Sequence, residues 1–341
     1  MRMRNLGLLA ATIATVIGAA GVAGAATIDT VKQRGRLLCT AHTSSYFGFA
    51  ELSDTGTWKG FDIDLCKALA AAVLGDPEKV TYVAVDWNQR FPALQSGEVD
   101  VVFKNTTWTL SRDAELGFQF SIPYVFNGVQ IAVPAKSGIN SPKELAGATA
   151  CGLQGTNTEL VLADYFATLN QKYNSITYAS NEEVSAAFIA GRCDYMAAVG
   201  LTLATSLKGH ESEFKILPDL LSLNVNASVV RQNDDQWLDI VNWTLAALME
   251  AENLGITSKN VDEMVQKGAT DATIGRFLGV TPGVGGRLKL RETWTRDVIK
   301  AVGNYGEIYE RNIGSESPYK LERGKNVTAL KGGLLVSPTF D

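Results

Sequence analysis

The sequence predicts an α/β protein of two lobes, each a mostly parallel sheet flanked by helices, joined by two crossover strands. Three observations carry this. Short apolar, β-rich runs alternate with segments of helical periodicity along most of the chain. Two stretches share one plan: NQRFPALQSGEVDVVF (88–103) and NEEVSAAFIAGRCDYMAAV (181–199) each begin with Asn, run through a helix, stop at Gly and reach a strand just after an Asp. Two extended segments, QIAVPAKSGI (130–139) and LLSLNVNASVVRQND (220–234), bracket the second unit as candidate crossovers. A chain of 341 residues is long enough for about two domains.

The elements follow in order. RLLCTAH (36–42) reads as a strand and GFDIDLCKALAAAVLG (60–75) as a helix ended by Gly75 and Pro77. KVTYVAV (79–85) is a strand. NQRFPALQSG is a helix up to Gly97, with Pro92 early enough to be tolerated. EVDVVF (98–103) is again a strand, and NTTWTLSRD follows it. Later, SPKE (141–144) has the pattern of a capping box. A strand, the helix of 155–170, the strand SITYAS (175–180), the helix of 181–191 and the strand CDYMAAV (193–199) complete the second lobe. The remainder is helix-rich: QWLDIVNWTLAALMEAENLG (236–255), TSKNVDEMVQKG and ETWTRDVIKAVGNYGEIYERNIG are expected to pack on the first lobe. The predicted boundaries are 1–25 for a leader, 26–134 plus 229–341 for lobe 1, and 135–228 for lobe 2.

The leader is read as a signal peptide. MRMRN is basic, LGLLAATIATVIGAAGV is apolar, and Ala23-Gly24-Ala25 is a small-x-small cleavage site. The apolar run is short for a membrane span of about 20 residues. Removing Arg2 and Arg4 from the 31 basic residues leaves 29 against 36 acidic ones, a net charge of −7. With no basic block, a nucleic-acid partner is not expected. Only His42 and His210 are histidines, and no C-x-x-C or H-x-x-x-H spacing exists, so neither a metal nor another cofactor is expected. Export makes Cys39, Cys66, Cys151 and Cys193 candidates for disulfides. Four cysteines allow three connectivities, and spacing does not choose among them. The two-lobe plan suggests Cys39 with Cys66 and Cys151 with Cys193.

In open parallel sheets a ligand sits beyond the carboxyl ends of the strands. NTTWTLSRD lies there, and Arg112 offers a planar fork of donors that matches a carboxylate. The competing reading is a surface turn with Arg112 paired to Asp113. GTNTE (155–159) opens a helix in lobe 2, where unpartnered N–H groups favour an anion, although Thr156 or Asn157 could simply cap that helix. Trp87, after KVTYVAV, could lie flat against a ligand or belong to the core. No nucleophile–base pair stands out.

At these residues the sequence resembles a family. GFDIDLCKALAAAV, RFPALQSGEVDVVFKNTTWTLSRD, GTNTELVLADYF and the stretch from DDQWLDIVNWTLAALMEAENLG onward look like the amino-acid-binding periplasmic receptors of ABC transporters, in their general L-amino-acid branch. The resemblance covers nearly the whole chain after the leader. It implies a type II periplasmic binding protein fold with a two-strand hinge, which closes on a small-molecule ligand and delivers it, as a monomer, to a membrane permease. It further implies that Arg112 clamps a ligand carboxylate and that Thr107 lies beside it. Asn105 would offer its backbone carbonyl, Trp87 would stack on the ligand, and Thr156 and the Asn157 backbone would add hydrogen bonds. Two other functions remain open: a periplasmic dehydratase of the same fold, and a sensory or degenerate receptor that does not serve transport.

One position departs from the family. Where an aspartate pairs with the ligand ammonium, this sequence has Val199, preceded by Ala197 and Ala198. Losing a buried charge pair typically costs ~3–5 kcal/mol, about 2–4 decades in affinity. Three outcomes are open: Asp194 or Glu183 supplies the missing acid, the ligand lacks an α-ammonium, or uptake binding has been lost.

Overall fold

The computed structural model describes residues 26–341, and the predicted signal peptide lies outside them. In the first lobe, strand Leu37–His42 pairs in parallel with Val80–Val85, and Cys39 bridges in parallel to Val101. Strand Val102–Thr107 then pairs antiparallel with Asn224–Arg231, which also pairs antiparallel with Phe118–Phe120 and Val125–Asn127. The second lobe has the strand order Asn174–Tyr178, Thr149–Leu153, Tyr195–Val199, Val129–Pro134, Phe214–Ile216. Its first three strands are mutually parallel and its last two join antiparallel.

Both sheets are therefore mixed, where mostly parallel sheets were predicted. The antiparallel pairs come from the crossovers, since a strand arriving from the other lobe runs against the βα units it joins. Val129–Pro134 belongs wholly to the second sheet and Asn224–Arg231 to the first. The chain thus changes sheets near Gly128 and near Leu223, rather than at 134 and 228. Pro134 marks where a strand ends and Gly138 where the following 3-10 turn ends, not where the sheet changes. A Cβ on Gly128 would lie 2.0 Å from the Ser222 carbonyl oxygen, so the two connections pass too closely for any side chain there.

Helix Phe61–Leu74 organises the first lobe. It is apolar nearly all round and is buried on most faces. One side lies on the sheet; helices Asp235–Asn253, Trp294–Val302 and Tyr305–Asn312 cover the other. Phe61 meets Tyr305 and Tyr309 edge-on in this core, which also buries Trp237 and Trp294. Cys39–Cys66 ties the helix to the first strand, and Cys151–Cys193 joins two parts of the second lobe.

Several local expectations shift. NTT is not a loop, because the strand continues through Asn105, Thr106 and Thr107. Leu110–Ala114 forms a short helix, capped by Thr109 Oγ1 accepting from the Arg112 amide. Residues 142–145 form a 3-10 turn in place of a capping box; the Glu144 carboxylate accepts from Asn140 N rather than Ser141 N. Reciprocal boxes occur instead at Ser180–Glu183 and Asn304–Glu307. Gly303 splits the last long segment into two helices.

Candidate functional site

Between the lobes lies a cleft enclosing about 450 Å³ of empty space, counting the part open to solvent. Strand and helix ends from both lobes form its walls. All seven residues singled out in the sequence line it: Trp87, Asn105, Thr107, Arg112, Thr156, Asn157 and Val199.

The floor is set by an irregularity. Ala227 pairs with Thr106 and Val229 with Val102, so Phe103, Lys104 and Asn105 face the single residue Ser228. Such a bulge re-aims side chains. Asn105 has φ +40°, a conformation that non-glycine residues seldom adopt. Its amide donates to Tyr124 Oη (3.0 Å) and its Nδ2 to Tyr46 Oη (2.8 Å). Its carbonyl, expected to face a ligand, instead accepts from Asn226 Nδ2 at 3.3 Å. The bulge also turns Lys104 inward. Its ammonium lies 4.8 Å from the Trp87 ring centre and donates to the Val85 carbonyl at 2.9 Å. Trp87 is therefore both core and wall: only 7% exposed, it is backed by Lys104 and His42 and faces the cleft.

Arg112 does not pair with Asp113. Its Nη1 donates to the Thr107 carbonyl at 2.8 Å, and its guanidinium lies 5.5 Å from the centre of the Phe91 ring. Among the described residues no other acceptor binds the Arg112 fork, so most of its donors are available to a ligand. Burial pushes its pKa down to about 10, which leaves it charged at neutral pH. Arg90 is a second cation in the wall. It is 1% exposed, donates to the carbonyls of Trp87 and Gly155, and lies 4.5 Å from the same Phe91 ring. Burial, and then repulsion from Arg112, push its pKa down.

The lobes are closed on one another through polar contacts. Arg90 Nη2 reaches the Gly155 carbonyl at 3.1 Å, Thr107 Oγ1 donates to Asn157 Oδ1 at 3.1 Å, and Tyr46 Oη lies 2.8 Å from Thr202 Oγ1. Gly155 has φ +72°, and a Cβ there would lie 2.2 Å from Asn88 Oδ1 of the facing lobe. Asn157 occupies the cap position of helix Thr158–Thr168 but makes no capping bond; its side chain spans to Thr107 and Asn224. Thr156 Oγ1 already donates to the Leu153 carbonyl at 2.9 Å. Its hydroxyl proton is thus committed, and the backbone N–H groups of a helix's first turn are the kind of donors that suit an anion.

Val199 ends its strand and caps helix Gly200–Ser206, with Ala198 beside it on the cleft wall. Neither candidate replacement acid is near. Asp194 accepts from Thr149 N at 2.7 Å at the other end of the strand, and Glu183 is held by Ala179 N and Ser180 N. Among the described residues no Asp or Glu lines the cleft. Asp62 lies beneath it, fully buried, accepting from Tyr124 Oη at 3.2 Å. Burial pushes its pKa up to about 7, against smaller opposing effects of the Tyr124 bond and Lys104.

Sequence reasoning missed Tyr46, Arg90, Asn181 and Thr202. The repeat held a clue to two of them. Arg90 and Asn181 stand at the starts of equivalent helices, each following a parallel strand, so both point to the cleft end of their sheets. Tyr46 and Thr202 have no comparable signal, because their roles arise only when the lobes meet.

Residues 38–262 match the family model of bacterial extracellular solute-binding proteins, family 3. The chain is 46% identical over 342 residues to the general L-amino acid-binding periplasmic protein AapJ of Rhizobium johnstonii, covering 98% of this chain and 99% of the relative. It is 42% identical over 323 residues to the glutamate/glutamine/aspartate/asparagine-binding protein BztA of Rhodobacter capsulatus, covering 94% and 95%. A solved structure of an ABC transporter periplasmic binding protein from Brucella ovis, with glutathione bound, superposes with a TM-score of 0.89 at 42% identity, covering 93% of this chain and 100% of that one. With its two lobes, paired hinge strands and cleft, this chain belongs to the bacterial extracellular solute-binding proteins of family 3.

Proposed function

We propose that the protein is the periplasmic receptor of an ABC importer and holds a small carboxylate-bearing solute in its cleft. The observation that carries this is Arg112, whose fork among the described residues is largely unengaged by protein acceptors and opens into a cleft that no described Asp or Glu lines. A ligand carboxylate takes the fork in bidentate fashion. Facing it, the first turn of helix Thr158–Thr168 supplies N–H groups and the positive end of its dipole. Trp87 packs the ligand body, and Thr107 and Asn157 tie the two halves of the anion site across the cleft. Asn105 shapes the floor through its bulge, while Val199 gives an apolar wall. The protein works as an exported monomer and passes its ligand to a membrane permease.

The relatives' names favour amino acids as the ligand class, and the Brucella ovis structure adds glutathione to the ligands worth testing. Catalysis by a dehydratase would need a group that moves a proton. The titratable side chains on the cleft wall are arginines and Tyr46, and burial raises the pKa of Tyr46. This favours a binding role. Calorimetry on refolded protein tests the proposal. Arg112→Ala should abolish binding of any carboxylate that the wild type takes, while the thermal unfolding of the unliganded variant stays close to wild type. Binding that survives this substitution would refute the assignment.

A further inference from the structure

The lining of the cleft is charged in one sense only. Arg90 and Arg112 both face it, and both lie beside the Phe91 ring. Arg90 is 1% exposed, and its Nε has no acceptor among the described residues. The carboxylates that act on the neighbouring cations are Asp86 and Asp62, and neither lines the cleft. Asp86 is spent on the amides of Asn88 and Gln89. Asp62 is sealed beneath the floor and held by Tyr124.

The opposite wall offers an ammonium no charged partner: its polar side chains, Thr156, Asn157, Thr158, Asn181 and Thr202, are neutral. Leu153, Ala198 and Val199 are apolar. Three of the oxygen acceptors nearby already take a bond: Asn157 Oδ1 from Thr107, the Asn105 carbonyl from Asn226, and Tyr46 Oη from Asn105. In a closed cleft of low dielectric, two arginines with no carboxylate in the lining beside them repel each other and attract anions. An ammonium placed there would be desolvated without a charged partner.

We infer that the preferred ligand is a small dicarboxylate that carries no ammonium, with one acid on the Arg112 fork and the second compensating Arg90. This rests on the receptor reading above and narrows it. Its methylene or oxo segment lies against Val199 and Trp87, where an amino acid would have to bury its ammonium.

The experiment compares 2-oxoglutarate, glutarate, L-glutamate, L-glutamine and pyruvate by calorimetry on protein unfolded and refolded to remove carried-over ligand. 2-Oxoglutarate and L-glutamate share a skeleton and differ at the position facing Val199. The expected result is that 2-oxoglutarate or glutarate binds at least 10-fold more tightly than L-glutamate, L-glutamine or pyruvate. Val199→Asp should reverse the preference toward L-glutamate. That variant should fold, because Val199 stands in extended backbone at a helix cap, where aspartate is favoured. L-Glutamate or L-glutamine binding as tightly as 2-oxoglutarate would overturn the inference and leave the receptor reading intact. Pyruvate binding as tightly as the two-acid ligands would overturn the assignment of Arg90. Silence toward every carboxylate, or binding that survives Arg112→Ala, would overturn the receptor reading and this inference with it.

Discussion

Replacing Tyr46 by Phe separates the energetics of closure from those of folding. The Tyr46 hydroxyl accepts from Asn105 Nδ2 within its own lobe and meets Thr202 Oγ1 of the other, each at 2.8 Å. Asn105 and Thr202 are both nearly buried in the closed protein, at 7% and 3% exposure. Leaving a buried polar group unsatisfied costs about 1–3 kcal/mol. The Asn105 share is paid whenever the first lobe is folded, so it lowers the unfolding free energy of unliganded protein. The Thr202 share is paid only on closure, because parted lobes let its hydroxyl meet water. The expected outcome in calorimetry is therefore a Kd weakened about 5- to 150-fold for the best ligand. Urea unfolding should separately report a loss of about 1–3 kcal/mol. Thr202→Val should weaken binding similarly without the loss of stability. The two substitutions combined should weaken it by less than the product of their separate effects. A Tyr46→Phe protein whose Kd stays within about twofold of wild type would refute this division.

Three further outcomes can be measured. Replacing Cys151 and Cys193 by Ala opens a loop with a sequence separation of 42 and should cost about 4 kcal/mol in urea unfolding, mostly in the second lobe. Asp62 is more basic folded than unfolded, so its contribution to stability is present below pH ~4 and lost as pH rises through about 7. Asp62→Asn should flatten that decline in unfolding free energy between pH 5 and pH 8, and an unchanged profile would remove Asp62 from the account. Glu252 accepts a bidentate pair of bonds from Arg323, both 2.8 Å, and a third from Lys331 at 2.9 Å. Glu252→Ala should destabilise the protein by about 3 kcal/mol in urea unfolding by leaving Arg323 partly buried without its partner.

The sequence by itself determined the order of strands and helices, because apolar periodicity and Gly stops are local. Gly75 and Gly97 end their helices in left-handed backbone where the sequence placed the stops. It also brought out the internal repeat, and with it the ends of the sheets where a cleft forms. Residues tied to those ends, such as Arg112, Trp87 and Asn157, were legible for that reason. The tertiary structure alone decided strand direction, since periodicity has no sense of parallel or antiparallel, and it decided that the chain crosses at Gly128. It decided too which atoms remain available. The Asn105 carbonyl accepts from Asn226, 121 residues away, a partner that no spacing rule specifies, whereas the Thr156 hydroxyl turns back locally to the Leu153 carbonyl. The absence of an acid at Val199 could be read along the chain. Glu183 is held by a local capping box, but the bond of Asp194 to Thr149 and the approach of Arg90 to Arg112 join segments far apart in the sequence, and only the folding of each lobe brings them together.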